Sequence, residues 1–147
     1  MAYSLYLITI RPKAGGDPIK AAKAAIAASS RLMGRNLEAE GRDKWQLARS
    51  ILQAFPRLAT LDKAILSDNL GPSEYELIGK RIISLFNAAS ESGTVLSIGN
   101  KIIVLEFFAS TAWDPRRGVS EEIREYIEFF RQAKGYQVYD PQSETIW

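Results

Sequence analysis

Hydrophobic positions in the first 55 residues alternate at first and then recur at helical spacing in two separate segments. Residues 3–10 alternate in part and are rich in β-formers, which predicts a strand ended by the proline and glycines that follow. Asp17-Pro18 supplies a helix cap and a first helical residue, so a helix is predicted to about residue 33. After a break at Gly41, Asp43 is expected to cap a second helix that runs through Phe55.

The pattern between residues 56 and 92 permits more than one interpretation. Pro56 favours a short helix through about residue 66. Residues 67–73 form the strongest loop signal in the chain and mark a change to a β-rich second half. Residues 74–78 are then predicted as a strand. Residues 80–89 fit either a helix or a buried strand, and helix is the preferred interpretation.

The last third of the chain has the clearest periodicity. Residues 94–108 predict a hairpin with a two-residue turn at Gly99-Asn100. Its second strand, IIVLEFF, is apolar on both faces apart from Glu106, which is typical of a central strand. Ser120 is expected to cap a helix that ends at Gly135. Its buried stripe is predicted to be Ile123, Tyr126, Ile127 and Phe130. Strands are predicted over residues 136–139 and 145–147, with Trp147 folded back onto the sheet.

Together these elements predict an α+β fold with helices packed on a mostly antiparallel sheet, forming a single domain over residues 1–147. The composition, 46% hydrophobic and 24% charged, is that of an ordinary globular protein. No apolar run approaches the roughly 18 residues of a membrane span. The apolar start has no basic residues before it, unlike a signal peptide. We therefore expect a cytoplasmic protein with no membrane association.

The chain contains no histidine and no cysteine. It therefore lacks the side chain that titrates nearest neutral pH, the thiolate nucleophile and the two commonest zinc ligands. We expect no enzymatic activity, no metal and no cofactor. Charge is divided unevenly, with ten basic and four acidic residues in 1–60 against nine and thirteen in 61–147. Such a bipolar distribution is able to steer a charged partner.

Carboxylates are the remaining candidates for acid–base chemistry. Asp114 and Asp140 each precede a proline. One interpretation makes them a carboxylate pair for acid–base catalysis or for a divalent metal; the other makes each a turn residue that hydrogen-bonds to its own backbone. Glu106 lies in an apolar strand, where burial would raise its pKa. Glu74 and Glu76 fit a solvated strand face better than a metal site. For each of them the structural interpretation is preferred, and an enzyme ranks last among the alternatives.

Side chains typical of protein interfaces are concentrated on and just before the predicted helix between Ser120 and Gly135. Acidic residues on that helix, with a Trp and two Arg before it, form the predicted partner-binding set, because aromatic and arginine side chains are the usual anchors of protein interfaces. The set comprises Glu121, Glu122, Glu125, Glu128, Trp113, Arg116 and Arg117. A nucleic-acid-binding module is the alternative, although nucleic acid is not the expected partner. It would use Lys20, Lys23, Arg31, Arg35 and Arg42.

Residues 93–147 are similar to small bacterial α+β proteins, some of which are immunity proteins that accompany secreted toxins. The resemblance is carried by the final segment GYQVYDPQSETIW, above all by VYDPQ at residues 138–142, and by LARSILQAFPRL at residues 47–58. No catalytic residue comes with it. The resemblance implies a non-catalytic, protein-binding protein that neutralises a bacterial toxin, and this is the function that the sequence predicts.

Overall fold

The fold is α+β, as the sequence predicts, and its largest element is one antiparallel sheet with helices on both faces. The computed structural model describes residues 2–8, 15–30, 36–88, 92–98, 102–108, 113–114 and 118–147. The helices are α1 (Pro18–Ser30), α2 (Leu37–Ala54), α3 (Pro72–Lys80) and α4 (Glu121–Lys134), with a 3₁₀ turn at Lys63–Leu66. The strands are β1 (Ala2–Ile8), β2 (Leu58–Thr60), β3 (Ile83–Asn87), β4 (Ser92–Ile98), β5 (Ile102–Phe108), β6 (Trp113–Asp114), β7 (Gly118–Val119), β8 (Gln137–Asp140) and β9 (Thr145–Ile146).

The main sheet has the strand order β2-β3-β4-β5-β1-β8-β9, while β6 and β7 form a separate two-stranded ribbon. The apolar strand β5 lies at the centre between β4 and β1, as predicted. Its hairpin partner is also correct, but the register pairs Ile98 with Ile103. A turn at Gly99-Asn100 would pair Ile98 with Lys101, so the register that this turn predicts is wrong. Residues 99–101, which form the connection, lie outside the described residues.

Side chains of β1 divide the core into two layers. Leu5 and Leu7 are fully buried against α2, α3 and α4, whereas Tyr6 and Ile8 pack against α1. This follows from the alternation of side chains along a strand. Helix α1 covers only part of its face, and Phe86 of β3, which lies beyond it, is 49% exposed.

A close crossing of α2 and α3 explains why the predicted start of α2 is wrong. Asn36, not Asp43, caps this helix, and its Oδ1 accepts from Ala39 N at 3.1 Å. Gly41 is internal to the helix, where a Cβ would lie 1.6 Å from the Tyr75 carbonyl oxygen. A Cβ on Gly79 would lie 2.0 Å from the Leu37 oxygen. The two glycines therefore permit backbone-to-backbone contact between the helices.

Lys44 ties the same two helices together from a buried position, with 4% of its surface exposed. Its ammonium donates to the carbonyls of Ile78 and Gly79, both at 3.3 Å, and to Arg81 O at 2.5 Å. Ile78 O also accepts from the backbone N–H of Arg81, the cap residue, at 3.1 Å. Carbonyls at the end of a helix otherwise lack partners in the helix, and Lys44 supplies a donor to them. Desolvation lowers the pKa of Lys44, Glu40 opposes this effect and Arg81 adds to it.

The segment from 56 to 89 differs most from the prediction. Residues 56–66 form β2 and the 3₁₀ turn rather than a helix. The predicted strand at 74–78 lies within α3, where Pro72 occupies the first turn and Glu74 accepts from Gly71 N at 2.9 Å. The predicted helix at 80–89 is instead β3, whose residues alternate between buried and exposed. Glu74 and Glu76 therefore lie on a helix.

The last turn of the chain fastens the end of the sheet. The Gln142 side chain accepts from Ser4 N at 3.0 Å and donates to Ser4 O at 2.8 Å, so it pairs with β1 as another strand would. Trp147 N donates to Val138 O at 2.9 Å. The Trp147 ring packs against the main core and is partly buried, which agrees with the predicted direction of the terminal side chain.

Candidate partner-binding groove

The end of α2 and the outer face of α4 form an open surface groove of about 800 Å³. Its α4 residues recur three or four positions apart, and such positions share one face of a helix. This face lies beside the buried stripe of α4, which contains the four predicted residues. The groove is lined by Ala54, Phe55, Glu121, Arg124, Glu125, Glu128, Phe129, Gln132 and Ala133.

Two aromatic rings form the apolar floor of the groove. Phe55 follows the last residue of α2, and its ring centroid lies 5.6 Å from that of Phe129, with the rings at 75°. Beneath them, the ring of Tyr126 lies 4.5 Å from Phe55 and is only 1% exposed. Phe129 packs on a second core residue, Phe130, with ring centroids 5.2 Å apart. Because Phe55 and Phe129 are half-buried on these core rings, they present fixed apolar surface to the groove.

Two of the groove glutamates have weak ion pairs with arginines of the same chain. Glu125 lies 3.3 Å from Arg57, and Glu128 lies 3.4 Å from Arg131. These distances exceed the roughly 2.7–2.9 Å of a strong charged hydrogen bond. All four side chains are about half-exposed, and such pairs contribute about 0–1 kcal/mol each. Glu128 also accepts a hydrogen bond from Gln132 Nε2 at 2.7 Å. Both ion pairs are therefore open to exchange with another cation, and Glu125 is the less tightly held of the two carboxylates.

The charge of the groove lining is negative. Three glutamates and one arginine line it, which gives a net charge of −2. Glu121 and Arg124 make no ion pair with any residue that the structure describes. Glu121 lies in the first turn of α4, where the helix dipole stabilises a carboxylate.

The structure brings together only part of the predicted partner-binding set. Glu121, Glu125 and Glu128 share the groove, but Glu122 does not line it. Glu122 accepts a hydrogen bond from Asn87 Nδ2 at 3.3 Å and is half-buried against β3. It therefore lies outside the groove, and its part in partner binding stays a prediction.

The loop members of that set are not brought into the groove by the described residues. The backbone of Trp113 belongs to β6, while Arg116 and Arg117 lie outside the described residues. The sequence interpretation missed Phe55 and Phe129. Phe129 follows Glu121 and Glu125 at helical spacing, and this was the available signal.

The basic residues proposed for nucleic acid do not form one described surface. Lys20 and Lys23 lie on α1, whereas Arg42 lies on α2 across the sheet. Lys23 donates to Glu144 at 2.8 Å, a contact that raises the pKa of Lys23. Arg42 donates to Glu38 at 3.0 Å. Arg31 and Arg35 lie outside the described residues.

The carboxylates considered for catalysis are also separated. Asp140 is buried at the last turn, where it accepts hydrogen bonds from Gln142 N at 2.9 Å and Ser143 Oγ at 2.9 Å, as a turn residue does. Glu106 is half-buried and pairs in register with Ser4, which places it on the α1 face, opposite Asp140. Asp114 belongs to β6. Within the described residues, no cluster of three carboxylates is arranged to hold a metal.

No protein-family profile, curated protein or solved structure matches this chain. None of the helices in the described ranges is both long and apolar enough to cross a membrane.

Proposed function

We propose that this chain is a non-catalytic protein-binding domain, and that its partner occupies the groove between α2 and α4. The observation that carries the proposal is the combination of a fixed aromatic floor, formed by Phe55 and Phe129, with a rim of exchangeable carboxylates. Apolar anchors surrounded by polar side chains are the usual anatomy of a protein interface. The groove is open to solvent along its length, which suits a protein segment better than an enclosed small molecule.

The class of partner that we favour is a toxin, which makes the chain an inhibitor of the immunity type. Residues 93–147 resemble small bacterial α+β proteins, some of which are immunity proteins; this resemblance supports the choice, and α4 lies within that segment. The absence of histidine and cysteine is in keeping with inhibition by occupancy rather than by chemistry.

Site-specific photo-crosslinking in the native host tests the proposal. A photoreactive phenylalanine analogue replaces Gln132, which lines the groove, and in a matched control it replaces Glu76 on the exposed face of α3. We expect a discrete protein adduct at position 132 that is absent at position 76, and mass spectrometry identifies the partner. No adduct at position 132, or the same adducts at both positions, contradicts the proposal.

A further inference from the structure

We infer that the groove accepts a cationic, amphipathic protein segment, with one apolar side chain on the aromatic floor and arginine or lysine side chains on the flanking carboxylates. This inference rests on the proposed function and specifies the chemistry of the partner. It combines the floor formed by Phe55 and Phe129 with the net negative lining.

Arginines of the same chain show the geometry in which a guanidinium meets the rim. Arg57 approaches Glu125 from one side of the groove, and Arg131 approaches Glu128 from within α4. Both contacts are long and solvent-exposed, so little stabilising free energy is lost when a partner cation replaces the arginine. Glu121 is exposed and makes no ion pair with a described residue, so no cation of the described chain competes for it.

The length of the groove sets the length of the segment. From Glu121 to Gln132 the α4 face rises 1.5 Å per residue, or about 16 Å in all. A partner helix of about three turns matches this length, as does an extended segment of about five residues at roughly 3.3 Å each. The apolar anchor belongs near the middle, with basic residues on both sides.

A second copy of this chain fits the groove less well. Antiparallel superposition of the α4 face on itself places Gln132 opposite Glu121 and sets Glu125 of one chain opposite Glu128 of the other. Two carboxylates at that position repel one another, and like charges across an interface disfavour the pairing.

Selection of peptides on the full-length chain tests this chemistry. A phage-displayed random dodecapeptide library is panned on the immobilised protein at low salt, and enriched peptides are synthesised for affinity measurements. We expect enriched peptides to carry at least two basic residues and one aliphatic or aromatic anchor. Peptides that are neutral or acidic, or a selection that enriches nothing, would overturn the inference.

Matched variants connect the selected peptides to the groove. Glu125→Arg is expected to weaken binding about tenfold, and Phe129→Ser by at least about tenfold. Glu76→Arg changes charge by the same amount and also removes a half-exposed ion pair, with Lys80, but is expected to change affinity less than about twofold. Circular dichroism shows whether each variant is folded. If Phe129→Ser is unfolded, the affinity of Glu125→Arg alone tests the inference.

The two proposals fail in different ways. If a partner crosslinks at position 132 but its binding is insensitive to salt and to Glu125→Arg, the cationic segment is contradicted while the binding groove stands. If equal loss of binding follows Glu125→Arg and Glu76→Arg, the groove does not recognise the peptide and the inference is wrong.

Discussion

Replacement of Gly41 by alanine is expected to reverse the usual effect of that substitution in a helix. At an exposed helical position, alanine stabilises by about 1 kcal/mol relative to glycine. At Gly41 the added Cβ would lie 1.6 Å from the Tyr75 oxygen and 2.9 Å from the Gly79 nitrogen. Ordinary contact needs roughly 3.4 Å or more, so α2 and α3 must separate by about 2 Å. Both obstacles are backbone atoms and cannot rotate away.

The cost has two parts. Overpacking against fixed atoms costs about 1–3 kcal/mol and sometimes more, and separation of the helices also stretches the hydrogen bonds of Lys44, worth about 1–3 kcal/mol. After subtraction of the helix-propensity gain of about 1 kcal/mol, we expect a net destabilisation of about 1–5 kcal/mol and a Tm lower by on the order of 10 °C.

Urea and thermal unfolding measure this effect. Gln46→Ala, at an exposed position of the same helix, is the control and is expected to change stability by less than about 0.5 kcal/mol. Gly79→Ala is expected to destabilise the protein as well. The double variant is expected to lose less stability than the two single variants together, because helices that are already separated accommodate the second methyl group. A Gly41→Ala protein as stable as wild type, or more stable, would refute the backbone contact between α2 and α3.

Three further predictions concern polar side chains that hold elements of the fold together or are partly buried in it. Lys44→Met is expected to cost about 2–4 kcal/mol, since carbonyls at the end of α3 lose the Lys44 donor. Burial lowers the pKa of Lys44, so the stability of wild type relative to this variant should increase as pH rises toward 10.5, and urea unfolding between pH 7 and 10 measures this increase. Burial, with a smaller effect of Asp43, raises the pKa of Tyr136, so wild type loses stability relative to Tyr136→Phe as pH rises above 10.0, and ultraviolet titration of both proteins follows the ionisation. Gln142→Glu is expected to cost about 2–3 kcal/mol, because a carboxylate cannot donate to Ser4 O and would lie beside Asp140. Unfolding experiments and faster amide exchange at Ser4 check this prediction, with Gln142→Ala as a control that should destabilise less.

Elements with local signals were predictable from the sequence. Helix α4 has its cap at Ser120, its left-handed end at Gly135 and a clear buried stripe, and the structure agrees at each point. The hairpin of β4 and β5 was equally clear, because a strand that is apolar on both faces has few positions in a sheet other than the centre.

Elements that depend on tertiary contact were not predictable in this way. Gly41 was interpreted as a helix break because the residue that requires glycine at this position, Tyr75 with its backbone carbonyl, is 34 residues away in the chain. The α3 and β3 segments were exchanged because short apolar runs fit both periods. The proline and glutamate in the first turn of α3 were a valid helix signal that the strand interpretation overlooked.

The candidate site was predictable in charge but not in shape. Three of the four α4 glutamates lie in the groove, whereas Glu122 faces Asn87 because position 122 adjoins the buried stripe. Phe55 joins the site from α2, and only the packing of α2 against α4 brings it to Phe129.

Hydrogen–deuterium exchange on the full chain, with and without the partner identified by crosslinking, tests the central claim most directly. Binding is predicted to slow exchange in α4 and at the end of α2, and to leave α1 and α3 unchanged. Protection confined to another surface, such as the β2–β3 edge where Leu61 and Phe86 are exposed, with α4 unaffected, would contradict the claim that this groove recognises the partner.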